Sequence, residues 1–271
     1  MICLPLVRRT IGDYRWLWIF SAAGILGFLI LFNFAMDAIP RENAEVWMNV
    51  PWIQKFVSTL VGSDAVLLTK PEGMLSVGFS HPMVWAMLLA FAFTAASGSI
   101  AAEIDRGTMD LLATLPVSRP AIYASTSIAV LLMGLVLCWM VWLGAVVGIR
   151  IIGVADFRTD WMAIAAANLC TTFVAIAGLS VALSAVAPRR GLAVAVAFGV
   201  VFYGFVLNFL KTMWPAAESI AFTSFLHYYE PLIVMRDTAW PWGHMAAMTA
   251  TGIVFWTAGL IGFCVRDFPA R

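Results

Sequence analysis

The chain has 271 residues, 62% of them apolar and 11% charged, where a soluble domain carries roughly 25% charged residues. A soluble globular protein is thereby excluded. Its 16 basic and 15 acidic residues nearly cancel, which leaves no basic face for nucleic acid.

A helix needs about 20 apolar residues, at about 1.5 Å each, to cross about 30 Å of hydrocarbon. Six runs meet this requirement, at 16–36, 82–102, 121–149, 161–187, 191–210 and 243–265. The predicted fold class is all-α: a polytopic membrane protein, one membrane-spanning domain over 1–271, folded as a six-helix bundle. Arg8, Arg9 and Arg15 stand ahead of the first run and no small-x-small cleavage site follows it, so it reads as a retained span. Thr10, with Asp13 three residues on, predicts a helix start there as a variant of the capping box.

With six spans both termini share a side. That side carries Arg8, Arg9, Arg15, Arg106, Arg119, Arg189, Arg190, Arg266 and Arg271, whereas the opposite side spreads seven basic residues over longer loops. The positive-inside rule then predicts cytoplasmic termini in the cell inner membrane, with 37–81 and 211–242 facing outward. In the first outer loop Pro51 can open a helix whose Trp52, Ile53, Phe56, Val57 and Leu60 share one face. It is expected to lie on the outer interface, anchored by Trp47 and Trp52.

Acids and bases fall only at the edges of the six runs, whereas ion-coupled transporters change charge inside the membrane. A secondary transporter is therefore disfavoured. The lysines are Lys55, Lys70 and Lys211, none within a GxxxxGK[ST] string, so the sequence carries no P-loop. It also lacks HExxH, and Gly78-Phe79-Ser80-His81 and Gly178-Leu179-Ser180-Val181 have the wrong fourth residue for a GxSG string. The chain is predicted not to be an enzyme. Cys3, Cys138, Cys170 and Cys264 have no metal-ligand spacing and read as small hydrophobes.

Between the second and third spans stands 103–120, EIDRGTMDLLATLPVSRP. On a 100° wheel Ile104, Thr108, Leu111, Leu112 and Leu115 share a face, with Arg106 and Asp110 opposite as an i, i+4 pair. A short amphipathic helix is predicted, ended by Pro116, with Ser118 capping and Pro120 opening the next helix. Its apolar face suits either the inner leaflet or a soluble partner.

The succession of an acid, a basic-Gly-Thr triplet, a leucine pair and a Pro-Val-Ser-Arg ending resembles the signature of permease subunits of the type-2 ATP-binding-cassette exporter family. The resemblance implies that this segment is a coupling helix seated on a separate ATPase subunit, with Glu103, Arg106, Gly107, Thr108, Leu111, Leu112, Pro116, Ser118 and Arg119 at the contact. It implies that ATP and Mg are bound by that partner and not by this chain, and that a second permease copy or a homologue completes the pathway in the membrane lipid. Export is the implied activity, with mechanical work on envelope partners as the alternative. Relatives often carry a Gly-Lys pair a few residues past the Arg, where this chain has Ala124-Ser125-Thr126. Relatives also carry an elbow helix on the inner face before the first span; here a plain basic anchor is the competing reading.

Residues 216–235 are apolar and aromatic but interrupted by Glu218, His227, Glu230 and Pro231. Such a stretch is too polar to face lipid at mid-depth, and non-helical backbone at that depth must be buried in protein or line a cavity. An outer re-entrant gate is expected, formed by Phe225, His227, Tyr228, Tyr229, Glu230 and Pro231, with Phe225 against Phe202 or Leu207. A surface-lying helix and a seventh span are the alternatives. Small residues at Gly144 and Gly148, and at Ala193 and Ala197, predict close helix packing within the chain. Asn168, Thr172, Ser180, Ser184 and Asn208 read as packing groups that satisfy backbone.

Overall fold

A computed structural model describes residues 2–38, 50, 71–109, 116–153, 158–211 and 214–266. Among these residues all regular structure is helical, and six helices are long and apolar enough to cross a membrane. The predicted interfacial helix at 51–60, with Trp47 and Trp52, lies outside the described residues, as do Asp110, Leu111, Leu112 and Leu115.

α1 (Leu4–Asp37) is one unbroken helix of 34 residues, about 50 Å long. Pro5 sits in its first turn, where a missing N–H leaves no bond unmade. The Cys3 N–H in the cap position donates to Ser125 Oγ at 2.7 Å. The helix start expected at Thr10 is thus corrected: Thr10 is buried and its hydroxyl donates to the Leu6 carbonyl one turn back. Leu6 packs with Ile122, Tyr123 and Phe263, so apolar contact draws the helix back toward Leu4. A separate elbow helix before the first span is likewise corrected.

The last part of the expected outer loop is helical, as α2 (Pro71–Ser80). His81 follows as a cap, its Nδ1 accepting from the Met83 N–H at 3.2 Å, and Pro82 opens α3 (Pro82–Ala96). The second span continues through a π-helical turn, Ser97–Ala101, into α4 (Ala102–Asp105). The third to fifth spans are α5 (Arg119–Ile152), α6 (Asp160–Val186) and α7 (Arg190–Leu210), each near its predicted limits. Ser118 takes the cap position of α5 with extended backbone, but its side chain makes no cap bond, which corrects the capping role expected of it. Between α7 and the last span come α8 (Pro215–Glu218), two 3₁₀ turns (Ala221–Thr223 and Phe225–Tyr228) and α9 (Pro231–Asp237). No seventh span forms from these pieces. The sixth span is α10 (Trp242–Val265).

The bundle is built around α6. In its most apolar window 72% of residues are buried, against 22% in α10, so α6 is the hub and α10 a peripheral rod. α1 and α5 run parallel: Trp18 Nε1 donates to the Met133 carbonyl at 2.9 Å, and further along Asn33 Nδ2 donates to the Ala145 carbonyl at 2.9 Å. Asn33 reaches that carbonyl because Gly148 has no Cβ, which would fall 2.3 Å from Asn33 Nδ2. Gly144 and Gly148 therefore pack within the chain. α6 and α10 also run parallel and meet through glycine: a Cβ at Gly178 would lie 2.5 Å from the Gly252 carbonyl oxygen, and one at Gly259 would lie 2.5 Å from Ala182 Cα. The end of the bundle carrying both termini is called proximal below, and the opposite end distal.

Because backbone rather than a flexible side chain blocks Gly178, Gly178→Ala must push α6 and α10 apart. A loss of about 1–3 kcal/mol is expected, read as a lowered thermal midpoint in detergent. Gly199→Ala, which meets nothing within 4 Å, should leave the midpoint unchanged or raised.

Candidate functional site: coupling segment and distal segment

At the proximal end the helix of the second span stops soon after Glu103. Gly107 has φ +74°, its N–H donates to the Ile104 carbonyl at 3.1 Å, and the Thr108 N–H donates to the Glu103 carbonyl at 3.0 Å. These two bonds are a Schellman stop, for which a residue without Cβ is best suited. The single amphipathic helix expected to carry Ile104 and Thr108 on one face is thus corrected: Ile104 belongs to α4, Thr108 to the turn after it. The next residue, Met109, is buried and joins the cluster of Ile122, Tyr123 and Phe263.

The expected contact residues divide. Glu103 turns inward, accepting from Arg9 Nη2 at 3.0 Å and from the Thr108 hydroxyl. Arg119 also binds within the chain, its Nη1 donating to the carbonyls of Cys264 at 3.1 Å and Arg266 at 2.7 Å at the end of α10. Arg106, Pro116 and Ser118 are exposed, and Gly107 and Thr108 half-exposed. Leu111 and Leu112 lie outside the described residues.

Just before α4, the π turn is held from outside. The Ser184 hydroxyl of α6 donates to the Ala96 carbonyl at 2.7 Å and accepts from the Ala101 N–H at 3.0 Å. A side chain has entered the helix ladder, which is one of the physical causes of such bulges. Ser184 was legible in the sequence only as a packing serine.

At the distal end the interrupted segment folds into the bundle. The Ser224 hydroxyl donates to the Gly204 carbonyl at 2.8 Å and accepts from the Leu226 N–H at 3.2 Å. Asn168 Nδ2 donates to the Tyr228 carbonyl at 3.1 Å, and the Tyr229 hydroxyl to the Phe79 carbonyl at 3.3 Å. Gly204 lies about 9 Å inside the end of α7 at Leu210, and Asn168 about 12 Å inside the start of α6 at Asp160. The segment thus dips below the helix ends, with Phe225, Leu226 and Tyr229 buried. Glu230 pairs with Lys211 at 2.8 Å, and Pro231 opens α9. His227, Tyr228 and His244 form an aromatic cluster, the two imidazoles 6.1 Å apart. Of the two α7 positions expected against Phe225, Leu207 is buried, whereas Phe202 is exposed and stacked on Phe198; Phe202 faces away, a correction to the predicted pairing. Around the segment Asn168 Oδ1, Asn208 Oδ1 and His227 Nδ1 are buried without a partner among the described residues. Thr172 and Ser180 bond carbonyls of their own helix, as expected, and so does Thr171.

Six apolar helices, irregular backbone sheltered inside them, and a turn-terminated segment between the second and third spans define a polytopic membrane protein. The chain belongs to the ABC-2 family transporter proteins, whose family model matches residues 9–264. No curated protein matches it.

Burial first, and then the Lys211 charge, hold the His227 imidazole below its ordinary 6.5, against the opposing pull of Glu230; His244 adds to the lowering. The folded segment therefore prefers neutral His227. Its contribution to stability is full above pH 6.5 and is lost as pH falls below that value toward the lowered one. Amide hydrogen exchange at 225–229, corrected for intrinsic rate, should accelerate several-fold on acidification through this range. His227→Gln should flatten the profile.

Proposed function

We propose that this chain is the membrane-spanning permease subunit of an ATP-driven exporter in the inner membrane, with the proximal end and both termini in the cytoplasm. ATP and Mg belong to a separate ATP-binding-cassette ATPase, and a second permease copy or a homologue completes the pathway. The observation that carries the reading is the family match over residues 9–264, whose members work with such ATPases. The coupling segment is 103–119. Its exposed Arg106, Pro116 and Ser118, with Leu111 and Leu112 between them, meet the ATPase. Glu103 and Arg119 act from behind, fastening the segment to α1 and α10. ATP binding moves the segment, and the distal segment from Phe225 to Pro231 serves as the outer gate.

Leu111→Asp or Leu112→Asp should place a charge in a dry contact, costing several kcal/mol. Co-purification with the ATPase should fail while membrane insertion persists. Unchanged recovery and unchanged ATPase activity from both variants would falsify the docking role.

Orientation has its own test. In a cysteine-free background, cysteines at Ser118 and Ser58 should label from opposite sides, with Ser58 reached in intact cells. Labelling of both from one side would overturn the placement of the coupling segment.

A further inference from the structure

We propose that the proximal end holds a binding site for the phosphoryl headgroup of an anionic phospholipid, between α1, the π turn of the second span and the start of α7. A polar cavity of about 390 Å³ opens there, lined by Tyr14, Arg106 and Arg190 together with Arg9, Glu103 and Asp13. Three guanidiniums face two carboxylates. The carboxylates are already engaged by Arg9, which lies 3.0 Å from Glu103 and 3.6 Å from Asp13. Arg190 spends its Nε on Ser97 Oγ at 3.3 Å and has no carboxylate partner among the described residues; Asp110, which the sequence pairs with Arg106, lies outside them. The Tyr14 phenol is set against Gly98, where a Cβ would collide with its oxygen. The lining is thus rich in donors and short of acceptors. A phosphoryl group, with several acceptor oxygens that suit the fork of an arginine, supplies what is missing.

Lipid rather than free phosphate is favoured by what flanks the cavity. Trp16, exposed and under the Arg15 guanidinium at 5.5 Å, marks the interfacial level two residues from Tyr14. On the same helix Ile19 and Phe20 are exposed, and on α7 just past Arg190 so are Leu192 and Val196. Acyl chains can lie along these apolar surfaces while the headgroup enters the cavity. Basic pockets between spans at the cytoplasmic leaflet are a general means of holding anionic headgroups. The inference requires the bundle to lie in a bilayer; Arg106 is shared with the proposed ATPase contact, but the cavity and its test involve this chain alone, so the inference can fail or stand independently of that reading.

The test is native mass spectrometry of the full chain in a neutral detergent, titrated with dioleoylphosphatidylglycerol or dioleoylphosphatidylcholine. One phosphatidylglycerol per chain should be retained at several-fold lower concentration than phosphatidylcholine. Arg106→Gln and Arg190→Gln should each weaken that retention about fivefold, and Tyr14→Phe by a smaller factor. Arg150→Gln, at the distal end, should leave it unchanged. Arg106 is exposed, so its replacement spares the fold, and an unaltered thermal midpoint without added lipid verifies this. Equal retention of the two lipids would show that headgroup charge is not read, and an Arg150→Gln loss matching that of Arg190→Gln would reduce the effect to general charge attraction; either result overturns the site. Displacement of phosphatidylglycerol by inorganic phosphate at equal concentration would assign the cavity to a free anion and overturn the lipid.

Discussion

Backbone polar groups in hydrocarbon have no water to bond, so each break in a helix must be made good by a neighbouring side chain. In this chain the most buried helix, α6, supplies that service at both ends. Ser184 enters the ladder of the second span at Ala96 and Ala101, and Asn168 takes the Tyr228 carbonyl of the distal segment. The two residues lie about 24 Å apart along one rod. Neither irregular segment can shift relative to α6 without breaking its bond, and a buried group left unpaired costs about 1–3 kcal/mol. The positions of the two segments are therefore tied to one common reference.

Charge is kept to the ends of that rod and its neighbours, and there it does specific work. Arg266 at the end of α10 donates from Nη1 to the carbonyls of Ala185 and Ala187 at 2.9 Å, where α6 stops. Arg119 in turn binds the end of α10. Each guanidinium meets carbonyls that the helix cannot satisfy itself, at the negative end of its dipole. The result is a chain of contacts from the start of α5 through α10 to α6. On the other side of residues 103–119, Glu103 fastens α4 to α1 through Arg9. Residues 103–119 are thus held at their entry by one ion pair and at their exit by two carbonyl contacts, all within the bundle.

Much of this was legible in the residues. The six spans follow from run length alone, because little but a helix can bury some twenty apolar residues in lipid. The distal segment could be recognised as irregular from Glu218, His227 and Pro231, since polar groups and a proline cannot sit together in a lipid-facing helix. Its attachment points could not, because Asn168 and Gly204 look like any asparagine and glycine of an apolar span until the chain folds. The helix start was misplaced because Thr10 and Asp13 fit a cap pattern, while the burial of Leu6 against Tyr123 and Phe263, which extends α1 through them, is a long-range fact. Gly107 gave a readable stop signal that the wheel over 104–115 overrode: four apolar positions and Thr108 outweighed one residue whose backbone conformation decides the end of the helix. Ser97, Gly98 and Ser99 are a composition that weakens a helix, but a bulge becomes definite only with Ser184 inserted.

Under the proposed docking of an ATPase, the stop at Gly107 decides what a push on residues 103–119 can do. A continuous helix from the second span would carry axial force directly into α3. With the Schellman turn and the π turn in series, such a force first meets two places where the helix ladder is interrupted, one closed by a glycine and one by a serine hydroxyl. Motion is then more easily taken up as rotation at these points than as translation of the whole span. The restraint on that rotation is the set of bonds converging on Glu103 and Ser184, together with the packing of Met109 against the start of α5 and the end of α10. The second span thus reaches its proximal end through two interruptions of the helix ladder fixed by named polar contacts, while the apolar body of α3 packs on α6.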